Sequence, residues 1–181
     1  MIAASELIEY LPKLTGIPYA TVRGHYRKLN EAGILPVSRG TKIAKLNSLH
    51  VVMLLLALLA DVPAKDAVAA ARAYYPLADD DGNKIGDVLV NMLDSFRSLN
   101  EVGPLVYKSR IEFDCNTPRV CVVSECDDAT NLETLYGDQA KQWSDVCVRR
   151  SMTISGKVLF EIAKGLHFNR WPVEATTKDT K

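Results

Sequence analysis

Cysteine is scarce in this sequence, and no two cysteines form a CxxC pair. The histidines lie far from them along the chain, so the spacing that a zinc site requires is missing. We therefore expect no metal, no cofactor and free thiols, with Cys121 and Cys147 as small buried residues of strands. The residues concerned are Cys115, Cys121, Cys126 and Cys147, and His25, His50 and His167.

A calcium loop is missing as well, although the stretch 77–84 is acidic and reads as a linker. A loop that began at Asp79 would place Lys84 at its sixth position and Val90 at its twelfth. Calcium loops need glycine and glutamate at these positions. We expect a solvated loop.

Long apolar runs are also missing. The most apolar stretch, Val51 to Ala60, is far too short to cross a bilayer, and no basic segment followed by an apolar run opens the chain. We expect a cytoplasmic protein with no membrane contact.

The sequence has no nucleophile elbow, no phosphate-binding glycine loop and no HExxH motif. Glu112 and Asp114 lie two residues apart on one predicted strand face, but Lys108 and Arg110 alternate nearby. Such a row of charges is typical of a face exposed to solvent. We expect a protein that is not an enzyme.

The chain carries no net charge, because 22 basic residues balance 22 acidic ones. The two signs are unevenly distributed. Residues 1–50 hold seven basic residues against three acidic ones, and residues 76–181 hold 13 against 17. The first third of the chain is thus the place for contacts with a polyanion such as DNA.

Residues 11–35, with the sequence LPKLTGIPYATVRGHYRKLNEAGIL, place a tight turn between two short apolar-periodic segments. We expect a first helix from Ala3 to Tyr10, a separate short helix that begins at Pro12, a turn at Gly16-Ile17-Pro18, and a helix from Tyr19 to Ala32. Val22, Tyr26 and Leu29 recur at helical spacing on the buried side of the last helix.

The last of these helices is predicted to enter the major groove of DNA. We expect Arg23 to contact base edges and Arg27 and Lys28 to contact phosphates, with Tyr19, Thr21 and His25 as further contacts. Gly24 would be explained by close approach of the backbone to DNA or to the preceding helix. Residues 36–46 read as a hairpin with a turn at Arg39-Gly40. The cations of this hairpin would contact the adjacent DNA backbone or the minor groove. These wing cations are Arg39, Lys42 and Lys45.

The motifs Leu-x-x-Leu-Thr-Gly (11–16), Thr21-Val22 and Leu29-x-x-x-Gly33-Ile34-Leu35 resemble those of winged helix-turn-helix and MerR-like DNA-binding domains. The resemblance covers residues 3–60 and implies a transcription regulator. The arrangement of the chain also looks similar to proteins of bacteriophages and prophages. This implies the cytoplasm of a bacterium or of a phage-infected cell.

Asn47 or Ser48 can cap a helix whose run VVMLLLALLA is apolar on nearly every side. We expect a partner subunit to cover it, with dimer contacts from Val51 to Ala60 and from Ile85 to Leu99. The intervening residues 64–75 read as an Ala-rich helix that ends at Pro76.

Beyond Gly103 the apolar period changes to two. Residues 105–114 and 118–125 predict a hairpin, residues 145–155 a third strand, and residues 156–166 a closing helix capped by Ser155. A short helix is possible around residues 130–136.

These observations predict an α+β protein with four segments: a winged helix-turn-helix domain (1–46), a helical dimerisation segment (47–100), a small α+β domain with an antiparallel sheet and a covering helix (101–170), and a flexible tail (171–181). The predicted function is transcription regulation by a homodimer that binds double-stranded DNA at an inverted repeat. One alternative is a DNA-packaging component similar to a small terminase ring. Another is an inhibitor of a host defence complex that binds protein through its acidic C-terminal domain.

Overall fold

The computed structural model describes residues 1–38, 43–96, 106–125, 131–137, 150–168 and 171. The helices are α1 (Ala4–Thr15), α2 (Tyr19–Glu31), α3 (Ser48–Leu59), α4 (Ala67–Tyr74), α5 (Ile85–Ser95) and α6 (Gly156–Phe168), with a 3-10 turn at Ala64–Asp66. The strands are β1 (Ile2–Ala3), β2 (Lys45–Leu46), β3 (Arg110–Asp114), β4 (Arg119–Glu125), β5 (Asn131–Gly137) and β6 (Ser151–Ser155). The α+β class is confirmed. No helix among the described residues is both long enough and apolar enough to span a bilayer.

Helix α1 continues through Pro12, so the prediction of a separate helix that begins there is wrong. Proline removes one hydrogen bond from a helix interior. Here the loss falls near the end of the helix. Leu7 and Leu11 before Pro12 are completely buried, and Leu14 after it is partly buried against the core. Gly16 ends α1 in the left-handed conformation, at φ 73°, and its N–H donates to the Pro12 carbonyl at 2.9 Å.

Strand β2 pairs with the N-terminal strand β1, not with the residues just before it, and residues 36–38 are not a strand. The hairpin predicted over residues 36–46 is therefore wrong in its pairing. Ile2 lies opposite Leu46, and both side chains are buried, which fixes this register. Pro36 has no N–H to donate to a strand ladder. The predicted turn at Arg39-Gly40 lies outside the described residues.

Helix α3 is the most deeply buried element. From Val51 to Ala60 every residue except Met53 is at most 3% exposed. The covering elements α2, α4, α5 and β6 all belong to the same chain. The expectation that a partner subunit covers Val51 to Ala60 is therefore wrong.

Helix α5 uses its apolar stripe in the same way. The buried residues Ile85, Leu89 and Leu93 lie on the helix that packs against α3 and α6. This stripe is thus also occupied within the chain and is not free for a dimer contact, while residues 97–99 lie outside the described part.

The second sheet has the order β5-β4-β3-β6, and every neighbouring pair is antiparallel. The predicted hairpin of β3 and β4 is confirmed. The possible helix around residues 130–136 is wrong, because residues 131–137 form β5 and pair with β4 along its whole length. Tyr136 on β5 is buried in the same core as Phe113 and Val120.

The closing helix is confirmed, and Ser155 accepts a hydrogen bond from the Val158 N–H at 3.4 Å. The described part of the predicted third strand forms β6.

One core of buried residues extends from α1 to α6 across the predicted domain boundaries. At the start of the predicted tail, Trp171 stacks on Tyr10 with 4.3 Å between ring centroids. Residues 172–181 of the tail lie outside the described part. The predicted strand residue Cys147 also lies outside it.

The packing of α3 predicts a clear difference between two leucines of the same helix. Leu56 is completely buried, whereas Leu49 is 42% exposed. We expect Leu56→Ala to lower the free energy of unfolding by about 2–5 kcal/mol, because it leaves a cavity in the core. Leu49→Ala, the matched control, should cost roughly 1 kcal/mol or less. Urea unfolding measures both values, and equal losses would contradict the packing described here.

The cap of α3 predicts a pH dependence. Asn47 Oδ1 accepts from the His50 N–H at 3.0 Å, and the Asn47 N–H donates to His50 Nδ1 at 3.2 Å. Burial lowers the pKa of His50, so the folded state favours its neutral form. The stability from this cap is fully present above the pKa of an unfolded histidine, and it is lost as the pH falls through the lower folded value.

His50→Gln keeps an acceptor for the Asn47 N–H, as in a capping box, and does not titrate. We expect the wild type to lose more stability than this variant between about pH 7 and about pH 5, the range in which histidines change charge. Urea unfolding at both pH values makes the comparison. Equal losses in the two proteins would show that His50 does not contribute to the pH dependence.

Candidate nucleic-acid interface

Helix α2 has one buried face and one exposed face. Its buried residues are Val22, His25 and Leu29, which recur at a spacing of three and four and pack toward α1 and α3. The turn before it is fixed by Thr15, whose Oγ1 donates to the Leu11 carbonyl at 2.7 Å and accepts from the Ile17 N–H at 3.2 Å. The opposite face of α2 is therefore held toward solvent at a fixed angle.

Five of the predicted contact residues share this outer face. Four of them are exposed and Lys28 is partly exposed; the set is Tyr19, Thr21, Arg23, Arg27 and Lys28. Tyr19 is 48% exposed. The structure thus brings a ring, a hydroxyl and three cations to one side of a single helix.

The three cations differ in their surroundings. Arg27 Nε lies 2.7 Å from Glu31 Oε1, and Lys28 Nζ lies 2.8 Å from Glu31 Oε2. Arg23 makes no hydrogen bond or ion pair with any residue that the structure describes. Arg23 is therefore the cation of this face whose donors are available to a ligand.

Glu31 is a residue of this face that the sequence analysis missed. Hydrogen bonds from Lys28 and then from Arg27 lower the pKa of its carboxyl group. The spacings of three and four residues that produce these contacts are visible in the sequence. They could have identified Glu31 as the group that partly neutralises the two neighbouring cations.

His25 does not belong to the exposed face, so its prediction as a DNA contact is wrong. It is only 2% exposed. Its Nδ1 lies 2.9 Å from the Thr21 carbonyl oxygen, and its Nε2 lies 3.0 Å from the carbonyl oxygen of Val62. The position of His25 three residues after Val22 and four before Leu29 places it on the stripe that packs inward.

Gly24 is explained by a neighbour that the sequence analysis did not consider. A Cβ atom at this position would lie 3.3 Å from the Cβ of Ala64, in the 3-10 turn after α3. The close approach thus comes from this turn, and neither DNA nor the preceding helix is needed to account for the glycine.

The predicted wing residues are only partly described. Lys45 is exposed on β2, opposite Ala3. Arg39 and Lys42 lie outside the described residues. The structure therefore supports a cationic face on α2 and leaves the predicted wing contacts as predictions.

The acidic loop before α5 is organised by its own backbone. Asp79 Oδ1 accepts from the N–H groups of Asp81 and Asn83, at 3.1 and 2.8 Å. The side-chain hydrogen bond from Asn83 is the main cause of the lowered pKa of Asp79. Within the described residues, no group of three or more histidine, cysteine, aspartate or glutamate side chains could hold a metal ion.

A serine, an aspartate and a histidine also meet between α3, α5 and α6. Ser48 Oγ donates to Asp94 Oδ1 at 2.5 Å, and His167 Nε2 lies 3.3 Å from the same oxygen. The carboxylate lies between the other two groups, whereas a serine nucleophile needs the imidazole beside its hydroxyl. This arrangement joins three helices and lacks the order of a catalytic triad.

No protein-family model matches this chain, and the comparisons with curated proteins and with solved structures find no match either.

The ion pairs of α2 predict the titration of Glu31. We expect an NMR titration to place the pKa of its carboxyl group below the usual glutamate range, with the shift reduced at high salt because the group is exposed. Because the folded pKa of this carboxyl group is lowered, its ion pairs stabilise the protein at a pH above the unfolded pKa. That stability is lost as the pH falls through the folded pKa. In the double variant Lys28→Gln, Arg27→Gln the pKa should return to its usual range. An unchanged pKa in that variant would show that the two cations are not the cause.

Proposed function

We propose that this protein is a sequence-specific DNA-binding transcription regulator that reads duplex DNA with α2. The observation that carries the proposal is the outer face of α2, on which Arg23 has no hydrogen-bond or ion-pair partner among the described residues. An α-helix with its side chains is about 10–12 Å wide, and the major groove of B-DNA is about 12 Å wide. The packing of α2 on α1, α3, α4 and the 3-10 turn leaves Tyr19, Arg23 and Arg27 exposed on the side that would enter the groove.

The cations on this face have different roles in the proposal. Arg23 has the length and the paired donors to contact guanine O6 and N7, which is the commonest specific contact in the major groove. Arg27 and Lys28 contact phosphates, and in doing so they exchange Glu31 for the DNA backbone. Tyr19 and Thr21 lie toward the N-terminal end of the helix, where recognition helices contact bases.

The oligomeric state belongs to the same proposal. A homodimer on an inverted repeat agrees with this mode of reading, but its contacts must come from surfaces other than the buried stripes of α3 and α5. Light scattering separates the candidates. A dimer favours a regulator. A closed ring of roughly eight or more copies favours the packaging alternative.

The test of this function is DNA binding by the purified protein. We expect a mobility shift with duplex DNA from the region upstream of its own gene. We expect Arg23→Ala to lose roughly 1–3 kcal/mol of discrimination at one base pair, because a bidentate contact is removed. Binding to a panel of single-base variants of the site measures this loss.

Arg72→Ala is the matched control, since Arg72 is an exposed arginine on α4 and not on α2. It should leave the site preference unchanged. A wild-type protein that binds no duplex at low salt would refute the proposal. An Arg23→Ala protein with the wild-type base preference would refute the role given to Arg23. Biological activity that survives the loss of both Arg23 and Arg27 would favour the protein-binding alternative.

A further inference from the structure

The turn that follows α3 is anchored directly to α2. The Val62 carbonyl oxygen lies 3.0 Å from Nε2 of the buried His25. Two residues later, Ala64 approaches α2 closely, because a Cβ atom at Gly24 would lie 3.3 Å from the Ala64 Cβ, which is tighter than an ordinary contact. Two contacts at neighbouring positions of α2 therefore fix the turn relative to this helix.

The end of α3 adds a third restraint. Asp61 has the left-handed φ of 50°, which ends the helix and directs the chain toward α2. Its carboxylate pairs with Arg150, with 2.7 Å between Oδ2 and a guanidinium nitrogen. Asp66 closes the turn with a hydrogen bond from its N–H to the Pro63 carbonyl at 2.9 Å.

The turn lies along one side of the exposed face of α2. Thr21, Gly24 and Lys28 are three and four residues apart, so they form one stripe along the helix. Ala64 contacts the middle of that stripe. The next residue, Lys65, is exposed and makes no hydrogen bond or ion pair with any residue in the described ranges. An exposed cation thus directly follows the residue that contacts this stripe.

A helix fills most of the width of the major groove, so an element that flanks its outer face meets the sugar-phosphate strand at the groove edge. We propose that the turn 62–66 is a second DNA-contacting element and that Lys65 binds a backbone phosphate. This inference rests on the proposed function of α2. Lysine suits the role, because a compact charge on a flexible stem binds phosphate without reading sequence.

The experiment measures binding of Lys65→Ala to a specific and to an unrelated duplex by fluorescence anisotropy at several salt concentrations. Loss of one phosphate contact should weaken binding to both duplexes by roughly three- to tenfold at low salt and reduce the slope of log K against log salt by about one. Lys65→Arg should keep both properties. Lys84→Ala is the matched control, because Lys84 is an exposed lysine before α5, and it should bind as the wild type does.

The outcomes separate this inference from the function on which it rests. If the wild type binds DNA and Lys65→Ala behaves like Lys84→Ala, the inference is wrong and the proposed function stands. An effect confined to one DNA sequence would also overturn it, since a phosphate contact acts on every sequence. If the wild type binds no duplex, both proposals are wrong. The thermal unfolding of Lys65→Ala should match the wild type, because the side chain is exposed.

Discussion

The burial of α3 inside its own chain is the constraint on which the rest of the structure depends. A helix with apolar side chains all round is stable in water only when other elements cover every side. Here α2, α4, α5 and β6 provide that cover. Each of them must therefore direct its own apolar stripe inward, and their polar sides are left at the surface.

For α2 this constraint decides which side chains are available to a ligand. Val22 and Leu29 face the core, so the opposite side of the helix, with Arg23 and Arg27, is turned outward. His25 shows how strict the division is, because both nitrogens of this polar ring on the inner stripe lie next to carbonyl oxygens of the chain itself, at 2.9 and 3.0 Å. One packing requirement thus yields both a stable helix and an exposed cationic face.

The cations of that face differ in whether they pair with a carboxylate of the protein itself. Glu31 engages Arg27 and Lys28, so a polyanion must compete with an internal carboxylate for these two cations. Exposed ion pairs of this kind are weak, which keeps the exchange for phosphate easy. Arg23 pairs with no carboxylate in the described part of the chain, so it has none to exchange there. On the proposed function, this difference assigns base reading and phosphate binding to different residues of one helix.

Local signals in the sequence were sufficient for several elements. Pro18 and Gly33 bracket α2, Asn47 caps α3, and alternating side chains form the hairpin of β3 and β4. Each of these features depends on residues within a few positions of one another. The exposed cations of α2 also follow from helical spacing alone, and His25 would have been placed correctly by the same spacing.

Only the tertiary structure decided the features that depend on distant partners. Pro12 stays within α1 because Leu11 before it is buried and Leu14 after it packs against the core. Strand β2 pairs with Ile2–Ala3 because Leu46 and Ile2 meet in the core. Residues 131–137 form a strand because β4 offers them an edge. Lys65 comes to lie beside α2 through the approach of Ala64 to Gly24. The sequence by itself determined the helices that have a clear apolar period, such as α2, α3 and α5, and the charges they carry, since these properties are local. The folded chain decided which surfaces cover one another, because burial and strand pairing are set by residues far apart in sequence.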